Sequence, residues 1–316
     1  MSSPEHTYAA AGVSLATADA IVERLRTAVA STATPAVAGA FGSFAGLFAI
    51  DDRRLLAAST DSVGSKLVLG RRGARLRWCG ADLAAHCIND VLTTGAEPLF
   101  FLDYVAANTI DVEQVAELIE GVADVCRLAG CAILGGETAE LPGIYREDEL
   151  DFCGTAVGVV DRDRLIDGSR VGEGDVVVGF PSAGIHANGF SLVRRIVGDE
   201  AFDADLLLPP TRLYLDDVRA LRARADVRGL AHVTGGGIAG NLARILPVGL
   251  GAVIDPATWE RPAVFGWLAE QGVAEAELRR VFNIGIGYCA VIPASDVAAA
   301  DVVIGRIERG SGVAWA

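Results

Sequence analysis

Residues 163–175, DRLIDGSRVGEGD, form a polar, glycine-bearing stretch, and a succession of strand-like and helix-like segments runs up to it and starts afresh beyond it. A chain of 316 residues is long for a single core, and about 150 residues per domain is the usual scale. The expectation is therefore an α+β protein of two mixed α/β domains, residues 1–168 and 169–316. In the first, Ala18, Ile21, Val22, Leu25 and Val29 share one face of a helix over 15–30. Strands follow around 46–60, then a helix over 82–94, a strand over 99–107, and a helix over 111–129 that Asp111 caps and Gly130 stops. CAILGG and DFCGTAVGVVD read as further strands. In the second, VVVGF, LAHV and GAVID read as strands, the loop PSAGIHANG leads into a helix over 189–197, and another helix follows Pro210. No repeat of solenoid period is present.

Charge narrows the partners. The formal net charge is −14, which argues against a nucleic-acid groove or an anionic membrane surface, since each needs a basic face. The first twelve residues carry no basic or apolar leader, and no apolar run approaches the ~20 residues of a membrane span. Six scattered cysteines form no C-x-x-C or zinc grouping, so they read as reduced and buried, and the chain as cytoplasmic. A polyanionic substrate would have to be received locally, by a metal ion, backbone N–H groups or a few placed cations.

One such cation stands out. Lys66, in DSVGSK, is the only lysine, the other 26 basic residues being arginines. Two readings stand: an accident of composition, or a compact ammonium reaching one phosphate oxygen where a planar fork would not fit. Acidic groups cluster at nearby element ends. Asp61 follows the strand LLAAS, and Asp82, His86, Asn89 and Thr93 line one face of the 82–94 helix with Asp90 beside them. That face is either solvated or, given its short side chains, suited to a metal. Glu137 and Glu140 follow the strand-ending glycine pair in ILGGETAELPG, and strand-end loops are where α/β folds build sites. Oxygen ligands with no His or Cys cluster suit Mg²⁺ bridging to a nucleotide's phosphates. GAFGSFAG, with Gly42 and Gly46, offers backbone N–H groups to phosphates.

TGGGIAG supports a rival. Gly235, Gly237 and Gly240 make a G-x-G-x-x-G between LAHV and a helix, with Asp255 ending the next strand, as in an NAD-dependent oxidoreductase. Too little chain follows for a complete dinucleotide domain, and the same glycines would serve equally as a phosphate cradle. No G-x-x-x-x-G-K-[ST], H-E-x-x-H or G-x-S-x-G occurs.

Taken together and in order, DSVGSKL, ADLAAHCIND, GAEPLFFLDY, GGETAELPG, SAGIHANGFSLVR, LPPTRLY, HVTGGG and FNIGIG resemble the phosphoribosylformylglycinamidine cyclo-ligase (AIR synthetase) family over nearly the whole chain. The resemblance implies ATP-dependent closure of formylglycinamidine ribonucleotide to aminoimidazole ribonucleotide, with release of ADP and phosphate. It also implies Mg²⁺ and a homodimer whose N-terminal sheets pair into a barrel flanked by the C-terminal domains. Carried over by position, Asp61, Asp82, Asp90 and Glu137 become metal or nucleotide-pocket residues, and Lys66 a phosphate contact. Lys66, Asp61, Asp90 and Glu137 would be the catalytic set. Gly42, Gly46, Asn89 and Thr138 join the ATP pocket, while His186, Asn188, Thr234, Gly235 and Gly236 face the substrate. Ser62 and Ser65 stand where the family usually has glycine and threonine, which puts the backbone of that loop in question and leaves a non-catalytic nucleotide-binding relative as an alternative.

Overall fold

The computed structural model describes residues 6–147 and 149–316. Helix α1 (Leu15–Ala30) precedes a six-stranded sheet made of β1 (Val37–Ala38), β2 (Gly46–Ala49), β3 (Arg54–Ser62), β4 (Glu97–Ala107), β5 (Ala132–Glu140) and β6 (Leu150–Asp161). Its order is β1-β2-β3-β6-β4-β5, antiparallel except where β5 joins β4 in parallel. Helices α2 (Lys66–Arg72), α3 (Leu76–Leu92) and α4 (Val112–Ala129) complete this half. Helix α4 keeps the limits its sequence signals: Asp111 accepts the Gln114 N–H at 3.0 Å, and Gly130 ends it at φ +66°.

Helix α3 lies against the inner face of the sheet, where Leu55, Ala57, Phe101, Phe152 and Ala156 are buried. Helix α4 packs on α3 at backbone contact. A Cβ on Gly80 would stand 1.9 Å from the Leu118 carbonyl oxygen, and one on Gly121 the same distance from that of Arg77. Only glycine permits that crossing.

The second sheet comprises β7 (Val176–Pro181), β8 (Gly229–His232), β9 (Leu250–Ile254), β10 (Ile286–Ile292), β11 (Val303–Arg309) and β12 (Gly312–Trp315), in the order β12-β9-β11-β7-β10-β8. Helices α5 (Phe190–Val197), α6 (Ala204–Leu207), α7 (Leu215–Arg222), α8 (Gly237–Leu242), α9 (Ala263–Glu270) and α10 (Glu275–Val281) surround it. The first sheet ends at Asp161 and the second begins at Val176, on either side of the polar stretch.

The interior does not divide there. One apolar cluster joins Leu83, Cys87, Ile88 and Val91 of α3 to Val218, Leu221, Leu230, Tyr288 and Ala290 of the second half. Thirteen of the 17 residues of α3 are buried, Asp82, His86 and Asn89 among them, so its polar face is not solvated. It is the seam between the halves. Among the described residues no helix is long and apolar enough to cross a membrane.

The dinucleotide reading fails on topology. Strand β8 is an edge strand paired only with antiparallel β10, β9 lies at the far side of the sheet, and α8 has six residues. A dinucleotide fold needs parallel neighbours and a longer helix behind the glycines. Helix α1 forms as expected, but Ile21, Val22, Leu25 and Val29 of its stripe stand exposed in the single chain, and the Ala18 side chain lies outside the described residues.

Candidate active site at the junction of the halves

The seam is built from hydrogen bonds that the polar face of α3 extends to the second half. Asn89 donates to the Arg212 carbonyl at 2.8 Å and accepts the Tyr214 N–H at 3.0 Å, pairing with that segment as a strand would. Asp82 Oδ1 accepts both the N–H and the hydroxyl of Thr211, at 2.8 and 2.7 Å. Its other oxygen lies 2.6 Å from Lys66 Nζ, and both side chains are 0% exposed. Burial pushes the Asp82 carboxyl up, and the ammonium and Thr211 oppose that shift.

Lys66 therefore does not do what the sequence suggests. Three protein oxygens surround its ammonium: Asp82 Oδ2, the His186 carbonyl at 2.8 Å and the Pro209 carbonyl at 3.1 Å. The Phe190 ring lies 5.3 Å away. An ammonium has three protons, and this environment offers them three acceptors and no path to solvent. Lys66 is a structural cation that pins the loop ahead of α5 to the first half. His186 sits in that loop at φ +66°, a left-handed conformation costly for a side-chain-bearing residue. Asp82 is withdrawn from any metal set, and Asn89 from the ATP pocket, by the same burial.

What the seam presents at its open edge is different. Asp61, at the end of β3, keeps a side chain 39% exposed and accepts the Ser62 N–H at 2.7 Å. Its Oδ2 lies 4.0 Å from His86 Nε2, which in turn meets Asn188 Nδ2 at 3.0 Å. The amide is a donor, so this ring nitrogen accepts, and the imidazole proton sits on Nδ1, 3.5 Å from the Thr211 hydroxyl. Burial holds His86 below the usual imidazole range, against the pull of Asp61. One turn along α3, Asp90 accepts from the Ser59 hydroxyl at 3.0 Å and pairs with His232 Nδ1 at 2.8 Å. The His86 and His232 rings are 4.8 Å apart. His186 completes the group: its Nε2 accepts the Ala183 N–H at 3.2 Å, and burial keeps its ring neutral. Three of the chain's four histidines thus meet at one junction.

The remaining expected residues divide. Asn241 draws together the carbonyls of Thr234, Gly235 and Gly237, and Gly235 faces Asn188, so this loop borders the site. Gly42 borders it through Arg244, whose guanidinium donates to the Gly42 carbonyl at 2.9 Å and stacks 3.8 Å over Phe44. Gly46 is a β2 residue paired with Ala58. Glu137 and Thr138 lie on the exposed edge strand β5. The register sets Asp61, Gly154, Asp103 and Gly136 in one row and Ser62, Cys153, Tyr104 and Glu137 in the next, so Glu137 points from the opposite face of the sheet to Asp61. Among the described residues, no three His, Cys, Asp or Glu side chains are placed to hold a metal ion. Of the four expected acidic residues, Asp61 keeps a partly exposed carboxylate, Asp90 has one oxygen on Ser59 and one on His232, and Asp82 and Glu137 lie apart from both within one chain.

The loop question is answered too. Ser62 is the last residue of β3, paired with Cys153, and the left-handed residue is Gly64 at φ +61°. His232, Thr211 and Arg244 were not singled out from sequence. The scarcity of histidine was the one available signal for the first of them. Gly287 adds a test of packing behind the site, since a Cβ there would stand 2.1 Å from the Tyr214 hydroxyl and 2.5 Å from His186 Cε1. Gly287→Ala should cost about 1–3 kcal/mol, measured by denaturant melts, and an unchanged midpoint would show that these rings yield freely.

Comparison with known proteins decides the lineage. Models of the AIR synthase related protein N-terminal and C-terminal domains match residues 42–160 and 172–312. The phosphoribosylformylglycinamidine cyclo-ligase of Anaeromyxobacter dehalogenans is 45% identical, covering 96% of both chains. That of Myxococcus xanthus is 45% identical over 98% of both. The chain belongs to the phosphoribosylformylglycinamidine cyclo-ligase family. Among solved structures, one described as AaThiL complexed with AMPPCP and TMP superposes with a TM-score of 0.64 at 18% identity, covering 93% of this chain and 92% of that one. At that identity the match shows a shared fold and no more.

Proposed function

We propose that the chain is an ATP-dependent cyclo-ligase of de novo purine synthesis in the cytoplasm, converting formylglycinamidine ribonucleotide to aminoimidazole ribonucleotide. The observation that carries this is the 45% identity to cyclo-ligases over the full length of both domains, with no part of their length unmatched beyond a few per cent. The local chemistry supports it. The γ-phosphoryl group of ATP passes to the formyl oxygen, an amidine nitrogen attacks the activated carbon and gives up its proton, and the C–O bond breaks to release phosphate. Asp61 and Asp90 would hold Mg²⁺, which when bound neutralises charge on the transferring phosphoryl group. Asn188, held by His86, and the Thr234–Gly236 loop border the space where the substrate would lie. The Nε2 lone pair of His86 is taken by the Asn188 amide, so this ring orients Asn188 beside Asp61, and the amidine proton would pass to solvent at the exposed edge. Phosphate release by the purified protein with ATP, Mg²⁺ and formylglycinamidine ribonucleotide tests the reading. Release that does not depend on the ribonucleotide would defeat it.

The active species is a homodimer in this reading. The outer face of the first sheet exposes Phe48, Leu99, Leu102 and Leu134, and the stripe on α1 adds Ile21, Val22, Leu25 and Val29. A second copy covering these faces, sheet against sheet, would bury them and bring Glu137 of β5 into the interface. Light scattering at micromolar concentration should give twice the chain mass; a monomer would remove the barrel.

A further inference from the structure

We infer that the groove between α2 and α5 seats the 5′-phosphate of the ribonucleotide substrate, an inference that rests on the cyclo-ligase reading. The groove is a cavity of about 520 Å³ lined by Val68 and Arg72 of α2, Ser191, Arg194 and Arg195 of α5, Gly198 and Asp199 beyond it, and Ala10 and Ala11 of the N-terminal segment.

Three guanidinium groups converge there against one lining carboxylate, in a chain whose net charge is −14. Two of them are anchored by neutral carbonyls, so their charge is not cancelled: Arg72 donates to those of Gly198 and Glu200 at 2.6 and 2.9 Å, and Arg195 to that of Ala10. Arg194 has no ion pair among the described residues. Elsewhere the arginines are mostly spent on carboxylates, as Arg77 is on Asp124 and Glu120, Arg212 on Asp217, and Arg261 on Glu275. Among the described residues Arg222 and Arg244 likewise bond carbonyls and no carboxylate, but three such guanidinium groups share this one groove.

Its position fits the substrate. Ser191, which lines the groove, is joined to Ser65 by a 3.2 Å hydroxyl contact. Ser65 lies four residues after Asp61, and Ser191 three after Asn188. From Ser65 to Arg72 the helix rises roughly 10 Å at about 1.5 Å per residue. A ribose monophosphate lying along α2, its reacting chain at Asp61 and Asn188, places its dianion among the arginines. Arginine forks suit a phosphate monoester, which accepts on three oxygens.

ATP carries the same chemistry, and kinetics separate the two sources. In Arg194→Ala, KM for formylglycinamidine ribonucleotide should rise about tenfold or more while KM for ATP stays within about twofold, and Arg194→Lys should recover part of the loss. Calorimetric titration with ribose 5-phosphate should show the same weakening without turnover. A rise in KM for ATP alone, or unchanged KM and unchanged ribose 5-phosphate affinity, overturns the inference. Wild-type protein that does not turn over the ribonucleotide overturns the cyclo-ligase reading instead, and the ribose 5-phosphate titration then judges the groove by itself.

Discussion

Lys66→Met should be among the most destabilising single substitutions this chain can carry, lowering unfolding free energy by about 3–5 kcal/mol. The methionine fills most of the lysine's volume but leaves Asp82 ionisable, fully buried and 2.6 Å from nothing that can balance it, with the His186 and Pro209 carbonyls also deprived of a donor. At roughly 2–4 °C per kcal/mol for a domain of this scale, the melting temperature should fall on the order of 10 °C. Lys66→Arg should lie between, because a planar fork must fit a space shaped for a tetrahedral ammonium above the Phe190 ring. A phosphate contact, as the sequence suggests, would put the loss in ATP kinetics; burial puts it in stability. Lys66→Met combined with Asp82→Leu should recover much of the loss, since the buried charge that makes the single substitution costly is then gone. A Lys66→Met protein with wild-type melting temperature would mean that water reaches the pair.

Asp61→Asn should behave in the opposite way, with an intact fold and turnover reduced about a hundredfold or more. Its carboxylate is partly exposed and its one short contact is to the neighbouring Ser62 N–H, which an amide oxygen can accept equally well. What asparagine removes is the negative charge at the open edge of the seam, beside His86 and Asn188. Phosphate release at saturating ATP and ribonucleotide reads the effect, and circular dichroism melts confirm the fold. Turnover within threefold of wild type would take Asp61 out of the reacting centre.

The fold was legible where local signals act alone. Asp111 and Gly130 bracket α4 because capping depends on a few adjacent residues, and the polar stretch before Val176 separates the two sheets as its glycines and charges suggest. Asp61 and Asn188 do meet at the seam through His86, as their places at a strand end and in the loop before α5 allow. Lys66 was legible as an oddity, but its role was inverted: the partner that explains it, Asp82, is 16 residues on, and nothing local says that both will be shut away. Asn89 misled for the same reason, its amide being matched to backbone more than 120 residues away. Glu137 lies apart from Asp61 by parity, since a parallel register decides which face a strand residue takes and no single strand contains that information. His232 and Arg244 reach the site only through long-range pairing, β8 against β10 and Arg244 against the Gly42 loop.

The way α3 is enclosed has a consequence for motion. Many two-lobed enzymes open about a hinge, and their lobes slide or part to admit a substrate. Here the wall of one lobe is the floor of the other: the same helix carries Leu83 and Ile88 into a common interior, and Asn89 and Asp82 lock its far side to residues 211–214. Parting the lobes would expose that interior and strand a buried ion pair, so breathing of this kind is a rare excursion rather than a working stroke. Access and release then fall to the open edge of the seam, where the Asp61 side chain stays partly exposed.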